Sequence, residues 1–455
     1  MFMNERNLAV IILAAGKGTR MNSKMPKVNH KLAGRPLIGH LLETIQSMSP
    51  DQVITVISDE KSDIAKLASD TTIALQNPPL GTGHAAAAAL PLLKNNCIQE
   101  VLVAFGDTPF LTVETIERML ERLRGPSEPA LVVLGFRPPN AMEYGRLVTD
   151  ESGQLKKIVE ARDASTRILE IDLCNAGIMA FDGARFPDLL GAIDNDNETG
   201  EYYLTDAVEI ARTQGWNCIS IETDDPNEVM GINSRADLAR AEAILQRKLR
   251  SAAMDNGVTL IDPETVWLCS DTEIGQDVTV GPNVWFGPGV VVQRNVEIRP
   301  FCHIEGATIE EGAIIGPFAR LRPGAQIGHN SHIGNFVEIK KSVLKDKVNA
   351  NHLSYIGDSF VGSGANIGAG TITCNYNGFS KFQTEIGEGA FIGSNTSLIA
   401  PIKIGKGAIT GAGSTLSESI PENSLAMTRA KATIKSGWAE EFRLLEGAKV
   451  KKTKD

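Results

Sequence analysis

The pattern of apolar positions divides the chain into two parts with different periodicities. Up to about residue 235, short apolar runs typical of buried strands alternate with segments that have apolar residues at helical spacing. Such alternation predicts an α/β domain with a mainly parallel sheet, whose ligands bind beyond the carboxyl ends of the strands. The clearest predicted strands are 8–15, 52–58, 101–107 and 130–136, and the clearest predicted helices are 36–48, 83–94 and 113–123.

The segment from residue 234 to residue 257 predicts one long helix between the two parts. Asn233 or Ser234 can cap its start, and Gly257 lies past its end. We therefore predict a first domain at 1–233, a linker helix at 234–256 and a second domain at 257–455.

After this helix the apolar residues recur every six positions, with a slip of one residue between Ile304 and Ile309. A period of six fits neither a helix nor an alternating strand, and it is typical of hexapeptide repeats that wind into a parallel β-helix. The interruption at 374–383 predicts a loop that projects from the coils, and the basic tail 447–455 predicts disorder. The repeating positions are Ile274, Val280, Phe286, Val292, Ile298, Ile304, Ile309, Ile315, Leu321, Ile327, Ile333, Ile339, Val361, Ile367, Ile386, Ile392, Leu398 and Ile404.

Composition narrows the class of protein. Hydrophobic residues make up 42% of the chain and charged residues 22%, which is typical of globular domains. A net charge of -10 argues against a general nucleic-acid binder. The polar start "MFMNERN" has no signal-peptide pattern, and no apolar run has the roughly 20 residues of a membrane span. Six scattered cysteines predict free thiols, so we expect a cytoplasmic protein with no membrane partner.

The loop "LAAGKGTRM", residues 13–21, follows the first predicted strand. Glycine frees backbone N–H groups, and together with Lys17, Arg20 and Lys27 these groups suit a triphosphate. The dinucleotide fingerprint would need a third glycine at Met21, and the Walker pattern is also missing. The alternative is an ordinary strand–helix turn with solvated charges.

Two further turns offer groups for ligands. Asp107 in "FGDTPF" ends a predicted strand, where a carboxylate can bind Mg²⁺, although a helix cap is the alternative and Thr108 or Thr112 could provide it. "LGTGHAAAA", residues 80–88, is a glycine turn that could pack against a flat base or simply start a helix.

These motifs occur in an order that resembles the sugar-nucleotide pyrophosphorylases. The matching segments are "LAAGKGTRM", "PK" at 26–27, "QNPPLGTGHA", "FGDTPF", "EYGRLV" at 143–148 and "IVEARDA" at 158–164. With "ARLRPGA", "GNFVEIKK", "NHLSYIGD" and "NIGAGTITCNYNG", residues 8–440 resemble the bifunctional bacterial N-acetylglucosamine-1-phosphate uridylyltransferases and glucosamine-1-phosphate N-acetyltransferases. The resemblance implies an α/β Rossmann-like nucleotidyltransferase domain, a long linker helix and a left-handed parallel β-helix of hexapeptide repeats.

The resemblance also implies a set of residues for uridylyl transfer. UTP would lie over the first loop, in contact with Leu13, Ala14, Ala15, Gly16 and Lys27, and its uracil would be read by Gln76, Gly81 and Thr82. The acetylated sugar would be held by Gly145, Glu160, Asn175 and Thr205, and Asn233 would also contact the UDP-sugar. Asp107 and Asn233 would bind Mg²⁺, and Arg20 and Lys27 would neutralise charge during catalysis. Asn233 thus has a second interpretation besides that of a helix cap.

A second set is implied for acetyl transfer, in which an amine attacks the thioester of acetyl-CoA. His352 would be the general base. Glucosamine-1-phosphate would contact Arg322, Lys340, Tyr355 and Asn366, with Glu338 orienting groups nearby. Acetyl-CoA would contact Ala369, Asn375, Tyr376, Lys381, Ser394, Ala412 and Arg429. Asn375, Tyr376 and Lys381 lie in the predicted loop and would also complete the sugar pocket.

Several alternatives remain open at this point. His303, His329, His332 and His352 could bind zinc, as histidines do in some β-helical carbonic anhydrases. The chain could be a sugar-1-phosphate nucleotidyltransferase with a regulatory β-helix, or a non-catalytic assembly subunit. The family forms trimers that share active sites between chains, so we expect a homotrimer.

Overall fold

Apolar runs rich in β-branched residues form the middle of a mixed sheet in the first part of the chain. The computed structural model describes residues 7–16, 18–59, 63–94, 98–141, 144–151 and 153–452, with side chains up to residue 447. Tertiary contacts group the described residues into two units, divided between Lys248 and Leu249.

The strands and helices of the first unit largely follow the predicted alternation. The strands are β1 (Leu8–Leu13), β2 (Lys31–Leu32), β3 (Arg35–Pro36), β4 (Gln52–Ile57), β5 (Thr72–Leu75), β6 (Glu100–Phe105), β7 (Leu131–Phe136), β8 (Arg146–Thr149), β9 (Leu155–Val159), β10 (Cys174–Asp182) and β11 (Cys218–Glu222). The helices are α1 (Leu37–Ser47), α2 (Asp63–Leu67), α3 (Thr82–Ala89), α4 (Val113–Leu123), α5 (Thr166–Leu169), α6 (Phe186–Ala192) and α7 (Ala207–Thr213). Helix α8 (Arg235–Asp255) continues from the first unit into the second.

The main sheet has the strand order β11-β7-β10-β6-β1-β4-β5. Strands β1, β4, β5 and β6 are parallel, as predicted. Strand β10 runs antiparallel between β6 and β7, and β8 and β9 form an antiparallel pair beside it. Because β10 is reversed, its first residues lie beyond the carboxyl end of β6, at the same edge as the loops that follow β1 and β6.

Helix α8 begins with a cap at Ser234 and not at Asn233. The Ser234 hydroxyl accepts the N–H of Asp237 at 3.1 Å, and the Asp237 carboxylate accepts the N–H of Ser234 at 2.8 Å. Gly257 has φ +89 just past the helix end, as the sequence predicted. The Asn233 side chain is therefore available for another role.

The second unit is a parallel β-helix in which each coil adds one short strand to each of three parallel sheets. The first sheet contains Thr259–Leu260, Thr279–Val280, Glu297–Ile298, Ile314–Ile315, His332–Asn335, Asn349–His352, Asn366–Ile367, Phe391–Ile392, Ile409–Thr410 and Leu425–Ala426. The second contains Glu273–Ile274, Val291–Val292, Ala307–Ile309, Ala325–Ile327, Ser342–Leu344, Ser359–Val361, Thr384–Ile386 and Ile402–Ile404. The third contains Trp285–Phe286, His303–Ile304, Arg320–Leu321, Glu338–Lys340, Tyr355–Gly357, Ile372–Cys374, Ser397–Ile399 and Thr415–Leu416.

The predicted six-residue repeat is the core of this β-helix. Every predicted position except Ile274 is at most 3% exposed. Ile274 is partly buried because it belongs to a terminal coil, where fewer coils cover it. The predicted loop begins later than the sequence indicated, because Cys374 ends a strand and Asn375 is buried. The loop then projects as predicted, and Phe379 in it is 95% exposed.

The predictions for the tail and the cysteines have different outcomes. Helix α9 (Trp438–Lys452) includes residues 447–452, so disorder was the wrong prediction there, since alanine and lysine continue the helix readily. Residues 453–455 and Cys97 lie outside the described part. The other five cysteines are free thiols, and burial raises the pKa of Cys218 to about 12. Among the described residues, no helix combines the length and the apolar character needed to cross a bilayer.

Candidate active sites

The loops after β1 and β6 and the start of α3 enclose a cavity of about 420 Å³ at the carboxyl edge of the sheet. Leu13 at the end of β1 pairs with Phe105 at the end of β6, so the loops after these strands start side by side. The cavity therefore brings together most of the residues that the sequence assigned to UTP. Its lining is Leu13, Ala14, Ala15, Gly16, Lys27, Val28, Gln76, Pro79, Gly81, Thr82, Ala85, Phe105, Asp107 and Glu201.

The glycines of the first loop differ in what they do. Gly18 has φ +60, and a Cβ there would lie 2.6 Å from the Cβ of Lys27, so the chain itself requires glycine. A Cβ on Gly16 would meet nothing within 4 Å. Gly16 borders the cavity, so its lack of a side chain leaves room for a ligand to approach the backbone.

The charged residues of this loop do not all face the cavity. Arg20 is exposed on the short 3-10 helix Thr19–Met21, outside the set of residues that line the cavity. Lys17 lies outside the described residues. Met21, at the position of the missing third glycine, is fully buried, and its carbonyl accepts a hydrogen bond from Arg235 at 3.3 Å. The methionine is therefore part of the core under the loop.

The two predicted metal ligands converge on one cation. The Lys27 ammonium forms an ion pair with Asp107 and donates to Asn233 Oδ1 at 3.0 Å. Helix α4 has its own cap, because Thr112 accepts the N–H of Thr115. Asp107 is thus not a helix cap. Its carboxylate and the amide oxygen of Asn233 both contact the ammonium of Lys27. Oxygen donors of this kind suit Mg²⁺, which usually takes few protein ligands and completes its shell with phosphates and water.

A second cavity of about 260 Å³ shares Thr82, Phe105 and Glu201 with the first. Glu160, Asn175 and Thr205 line it, as the sequence predicted for the sugar. Gly145 borders Glu160, since a Cβ on this glycine would lie 3.4 Å from Glu160 Oε2. Thr205 donates to Glu160 at 3.3 Å, and burial raises the pKa of the Glu160 carboxyl. The two adjoining cavities can hold a nucleotide and a polar partner side by side.

Sequence reasoning missed part of this lining. Glu201 borders both cavities, and Phe105, Gly177, Met179 and Tyr203 line one or both. Glu201 lies four residues before the predicted Thr205, so that neighbourhood was a usable signal. Gly177 and Met179 come from the reversed strand β10, and nothing in the alternation of strands and helices indicated that reversal.

On the β-helix, His352 lies at a corner between the first and third sheets. Its Nδ1 is 2.7 Å from Asn335 Oδ1, which can only accept, so Nδ1 carries the proton and Nε2 has a free lone pair. Asn335 was not predicted, although it stands 17 residues earlier at the same place in the preceding coil.

The corner that holds His352 continues along the following coils. Backbone hydrogen bonds from Leu353 to Asn335, Gly370 to His352, Asn395 to Ala369 and Gly413 to Ser394 connect equivalent positions. We call these positions the corner column, which consists of Asn335, His352, Ala369, Ser394 and Ala412. Coils are about 4.8 Å apart, so three small side chains form a track of roughly 14 Å beyond His352.

The basic side chains of Arg322, Lys340 and Lys381 lie close together at the third sheet. Lys381 from the projecting loop reaches Lys340, and this like charge, with that of Arg322, lowers the pKa of the Lys340 ammonium. Arg322 also pairs with Glu338 at 2.8 Å, which holds its guanidinium in place. Three cations held this close are stabilised by an anion such as a phosphate.

Other predicted residues surround this cluster. Asn375 is buried and donates to Tyr355 Oη at 3.4 Å and to Asp358. Asn366 is half-buried on the first sheet, whereas Tyr376 is 59% exposed in the projecting loop. Arg429 is exposed and contacts the sulfur of Met427. The structure therefore places the predicted acetyl-CoA residues along an open surface and not in a closed pocket.

A cavity of about 430 Å³ adjoins His352 on the side of the earlier coils and includes Asn335, Arg299 and His332. The zinc alternative finds no support in the described part of the chain, where no group of three metal-binding side chains is suitable for a metal ion. His329 lies 3.2 Å from Asp346, and His303 stacks on Trp285.

Comparisons with known proteins agree with both units. Residues 10–164 match the family of MobA-like NTP transferase domains, and residues 306–341 and 383–418 match the bacterial transferase hexapeptide repeats. The chain is 53% identical to the bifunctional protein GlmU of Paramagnetospirillum magneticum, with 99% of this chain and 100% of that protein covered. The GlmU proteins of Rhodospirillum rubrum and Azorhizobium caulinodans are 51% and 49% identical, with 96% and 98% of this chain and 97% and 99% of those proteins covered.

Proposed function

This chain belongs to the family of bifunctional GlmU proteins, and from that membership we propose how its residues carry the two reactions. It is a bifunctional transferase that makes UDP-N-acetylglucosamine. The second unit transfers acetyl from acetyl-CoA to glucosamine-1-phosphate, and the first transfers uridylyl from UTP to N-acetylglucosamine-1-phosphate. The observation that supports our assignment best is the pair of adjoining cavities at one sheet edge, with Asp107 and Asn233 beside them.

For uridylyl transfer, we propose that UTP occupies the larger cavity with its phosphates over Gly16. The acetylated sugar would occupy the smaller cavity, where Glu160, Asn175 and Thr205 offer hydrogen-bond partners. The sugar-phosphate oxygen attacks the α-phosphorus and pyrophosphate leaves, so no protein nucleophile is needed. Lys27 and Arg20 would neutralise charge on the phosphates, and the remaining catalysis comes from positioning.

We also propose a magnesium requirement for this reaction. Asp107 and Asn233 fit the ion, because their oxygens already share one cation and because carboxylate and amide oxygens are suitable ligands. When bound, Mg²⁺ would neutralise phosphate charge. Lys27 would then be free to contact the phosphates, which lie over the same loop.

For acetyl transfer, we propose that Nε2 of His352 removes the proton from the attacking amine. Asn335 fixes the tautomer that makes this nitrogen an acceptor. Lys340, Lys381 and Arg322 would hold the sugar phosphate, with Tyr355 and Asn366 beside it. The arm of acetyl-CoA would follow the small residues of the corner column, and Arg429, Asn375 and Tyr376 would contact it further along.

We further propose a homotrimer in the cytoplasm. The acetyl-CoA track is open on a single chain, and a second chain against it would close the site. Hexapeptide repeats are consistent with such assembly. The substrates are all small molecules.

A component-omission assay tests the proposal. Purified protein would receive UTP, acetyl-CoA, glucosamine-1-phosphate and Mg²⁺, with each left out in turn. We expect acetyl-CoA to release free thiol even when UTP is left out. We expect pyrophosphate only when acetyl-CoA is present to acetylate the sugar, or when the sugar is supplied already acetylated. Pyrophosphate formed equally well with glucosamine-1-phosphate alone would contradict the proposed order, and pyrophosphate formed after removal of divalent ions would contradict the magnesium site.

A further inference from the structure

The orientation of the Gln76 side-chain amide can be derived from its neighbours. One end of the amide lies 2.9 Å from the carbonyl oxygen of Gly81, and the same end lies 3.1 Å from Nδ1 of His84. A carbonyl oxygen only accepts hydrogen bonds, so the end that faces it must be the NH₂ group. The amide oxygen Oε1 therefore points elsewhere.

The same contacts determine the state of His84. Since the NH₂ group donates to Gly81, its second hydrogen is available for Nδ1 of His84, which must be the unprotonated acceptor. The Gly81 carbonyl disfavours rotation of the amide by half a turn, because two oxygens would then face each other. His84 adds to this preference by accepting the second hydrogen of the NH₂ group, whereas a rotated amide would keep this contact only if the ring changed its tautomer. Gln76 is only 3% exposed, so solvent offers no substitute partner on that side.

This arrangement presents a donor–acceptor pattern to the larger cavity. Gln76 lines the cavity, and Oε1 has no donor among the described residues. The N–H groups of Gly81 and Thr82, at the start of α3, likewise have no acceptor within the described part of the chain. The wall therefore offers one acceptor next to backbone donors.

Only glycine permits the position of these donors. Gly81 has φ +110, and a Cβ there would lie 2.5 Å from the carbonyl oxygen of Tyr202. Because Gly81 has no side chain, α3 can start directly against the backbone of Tyr202. The first N–H groups of α3 therefore border the cavity. The pattern is thus built into the backbone and does not depend on a flexible side chain.

Uracil complements this pattern and cytosine does not. Uracil presents an imide N–H beside a carbonyl oxygen, which match Oε1 and a backbone N–H. Cytosine presents a ring lone pair beside an amino group, so both contacts would become repulsive. We infer that His84 is a positioning residue for base selection, which fixes the Gln76 amide so that the site accepts uridine and rejects cytidine nucleotides.

This inference rests on the proposed function, because it requires UTP in this cavity. The test measures kcat and KM for UTP and for CTP with N-acetylglucosamine-1-phosphate. In His84→Phe the ring remains but the acceptor is lost. We expect the UTP-to-CTP ratio of kcat/KM to fall at least about tenfold, mainly through a higher KM for UTP, because the lost contact is present in the bound state and the transition state alike.

Two further variants separate positioning from packing. His84→Asn keeps an acceptor near the place of Nδ1 and should retain most of the ratio. Tyr202→Phe alters the ring that lies 6.1 Å from the His84 ring and should leave the ratio unchanged. An equal fall in His84→Asn and His84→Phe would overturn the inference, since the acceptor would then be irrelevant.

A double-mutant cycle gives the decisive result. In a Gln76→Leu background there is no amide to orient, so adding His84→Phe should not change the ratio further. A further fall of the same size would show that His84 acts independently of Gln76 and would overturn the inference. Circular dichroism and thermal unfolding of each variant report whether the first unit remains folded. If the unmodified protein used neither nucleotide, the proposed function would be wrong. If His84→Phe kept the full preference for UTP, only the inference about His84 would be wrong.

Discussion

The Lys27 ammonium forms an ion pair with Asp107 although the two residues are 80 positions apart in the sequence. The same ammonium reaches Asn233, so it occupies the place between the two oxygens that we propose for Mg²⁺. A lysine and a metal ion cannot both hold this position. Binding of the ion therefore requires the lysine to move, and in the proposed complex the phosphates of UTP would be its nearest alternative partner.

Lys27→Met should tighten binding of a free divalent ion and weaken uridylyl transfer. Removal of the ammonium leaves Asp107 without its competing cation, so we expect Mn²⁺ to bind the nucleotide-free protein several-fold to about tenfold more tightly. Electron paramagnetic resonance measures this affinity directly. Lys31→Met, which removes an exposed charge, is the control, and unchanged Mn²⁺ affinity in Lys27→Met would contradict the shared site.

Arg20→Ala should lower the turnover of uridylyl transfer much more than it lowers UTP affinity. The reason is that we assign Arg20 to the charge of the departing pyrophosphate, which develops during the reaction. Steady-state kinetics with direct UTP binding separates the two quantities. Lys24→Ala, also exposed, serves as the control. Equal losses in turnover and affinity would mean that Arg20 only binds the nucleotide.

His352→Ala should abolish most acetyl transfer while uridylyl transfer persists. Loss of a general base typically lowers a rate by about 10²–10⁴-fold. Both activities can be measured on one preparation, and thermal unfolding reports whether the second unit remains folded. His329→Ala removes a histidine engaged with Asp346 and should leave both rates near normal. Near-normal acetylation by His352→Ala would refute its role as the base.

Asn335 should affect acetyl transfer through His352. Asn335→Leu removes the acceptor for Nδ1–H, and we expect a fall of about tenfold in turnover because the tautomer and ring orientation are no longer fixed. Asn335→Asp keeps an acceptor and adds a negative charge, which favours the protonated imidazole. The acid limb of its pH–rate profile should therefore move to higher pH. An unshifted profile would indicate that Asn335 is only structural.

Asp206→Asn should stabilise the first unit at high pH and not at low pH. Burial and the nearby Asp194 and Glu160 raise the pKa of Asp206 to about 6, so the ionised carboxylate is disfavoured in the folded state. That penalty is absent below about pH 3, grows as the pH rises from about 4 to 6, and is complete above that range. Asp206 is only partly buried, so after solvent screening we expect a gain of about 1 kcal/mol, or roughly 2 °C in Tm, at pH 8. Asp70→Asn, an exposed control, should show no such pH dependence.

Both units of the fold could be predicted because each has a periodic signal. Phe286 and Leu398 are buried as their six-residue spacing requires, and this spacing is a local property of the sequence. The reversed strand β10 could not be predicted in the same way. Its residues are as apolar as those of a parallel strand, and its direction depends on which strands it pairs with.

The site residues divide along a similar line. Glu160 could be named from a motif, and Asn175 and Thr205 from the family resemblance. Glu201 was indicated only by its closeness to Thr205 in the sequence, and Asn335 could not be named because it gains its role only from its contact with His352. Asn233 had two interpretations from sequence. The structure places the cap at Ser234 and leaves the Asn233 oxygen in contact with Lys27, so the magnesium role of Asn233 stays a prediction.

The sequence by itself determined the two kinds of repeat, the glycine turns and the types of residue available for chemistry, because periodicity and backbone freedom are properties of neighbouring residues. Only the tertiary structure decided which of these groups meet. Lys27 with Asp107, Gln76 with His84, and His352 with Asn335 are each joined by packing or coil stacking. The direction of a hydrogen bond, and hence the tautomer or amide orientation that chemistry requires, exists only once both partners are in place.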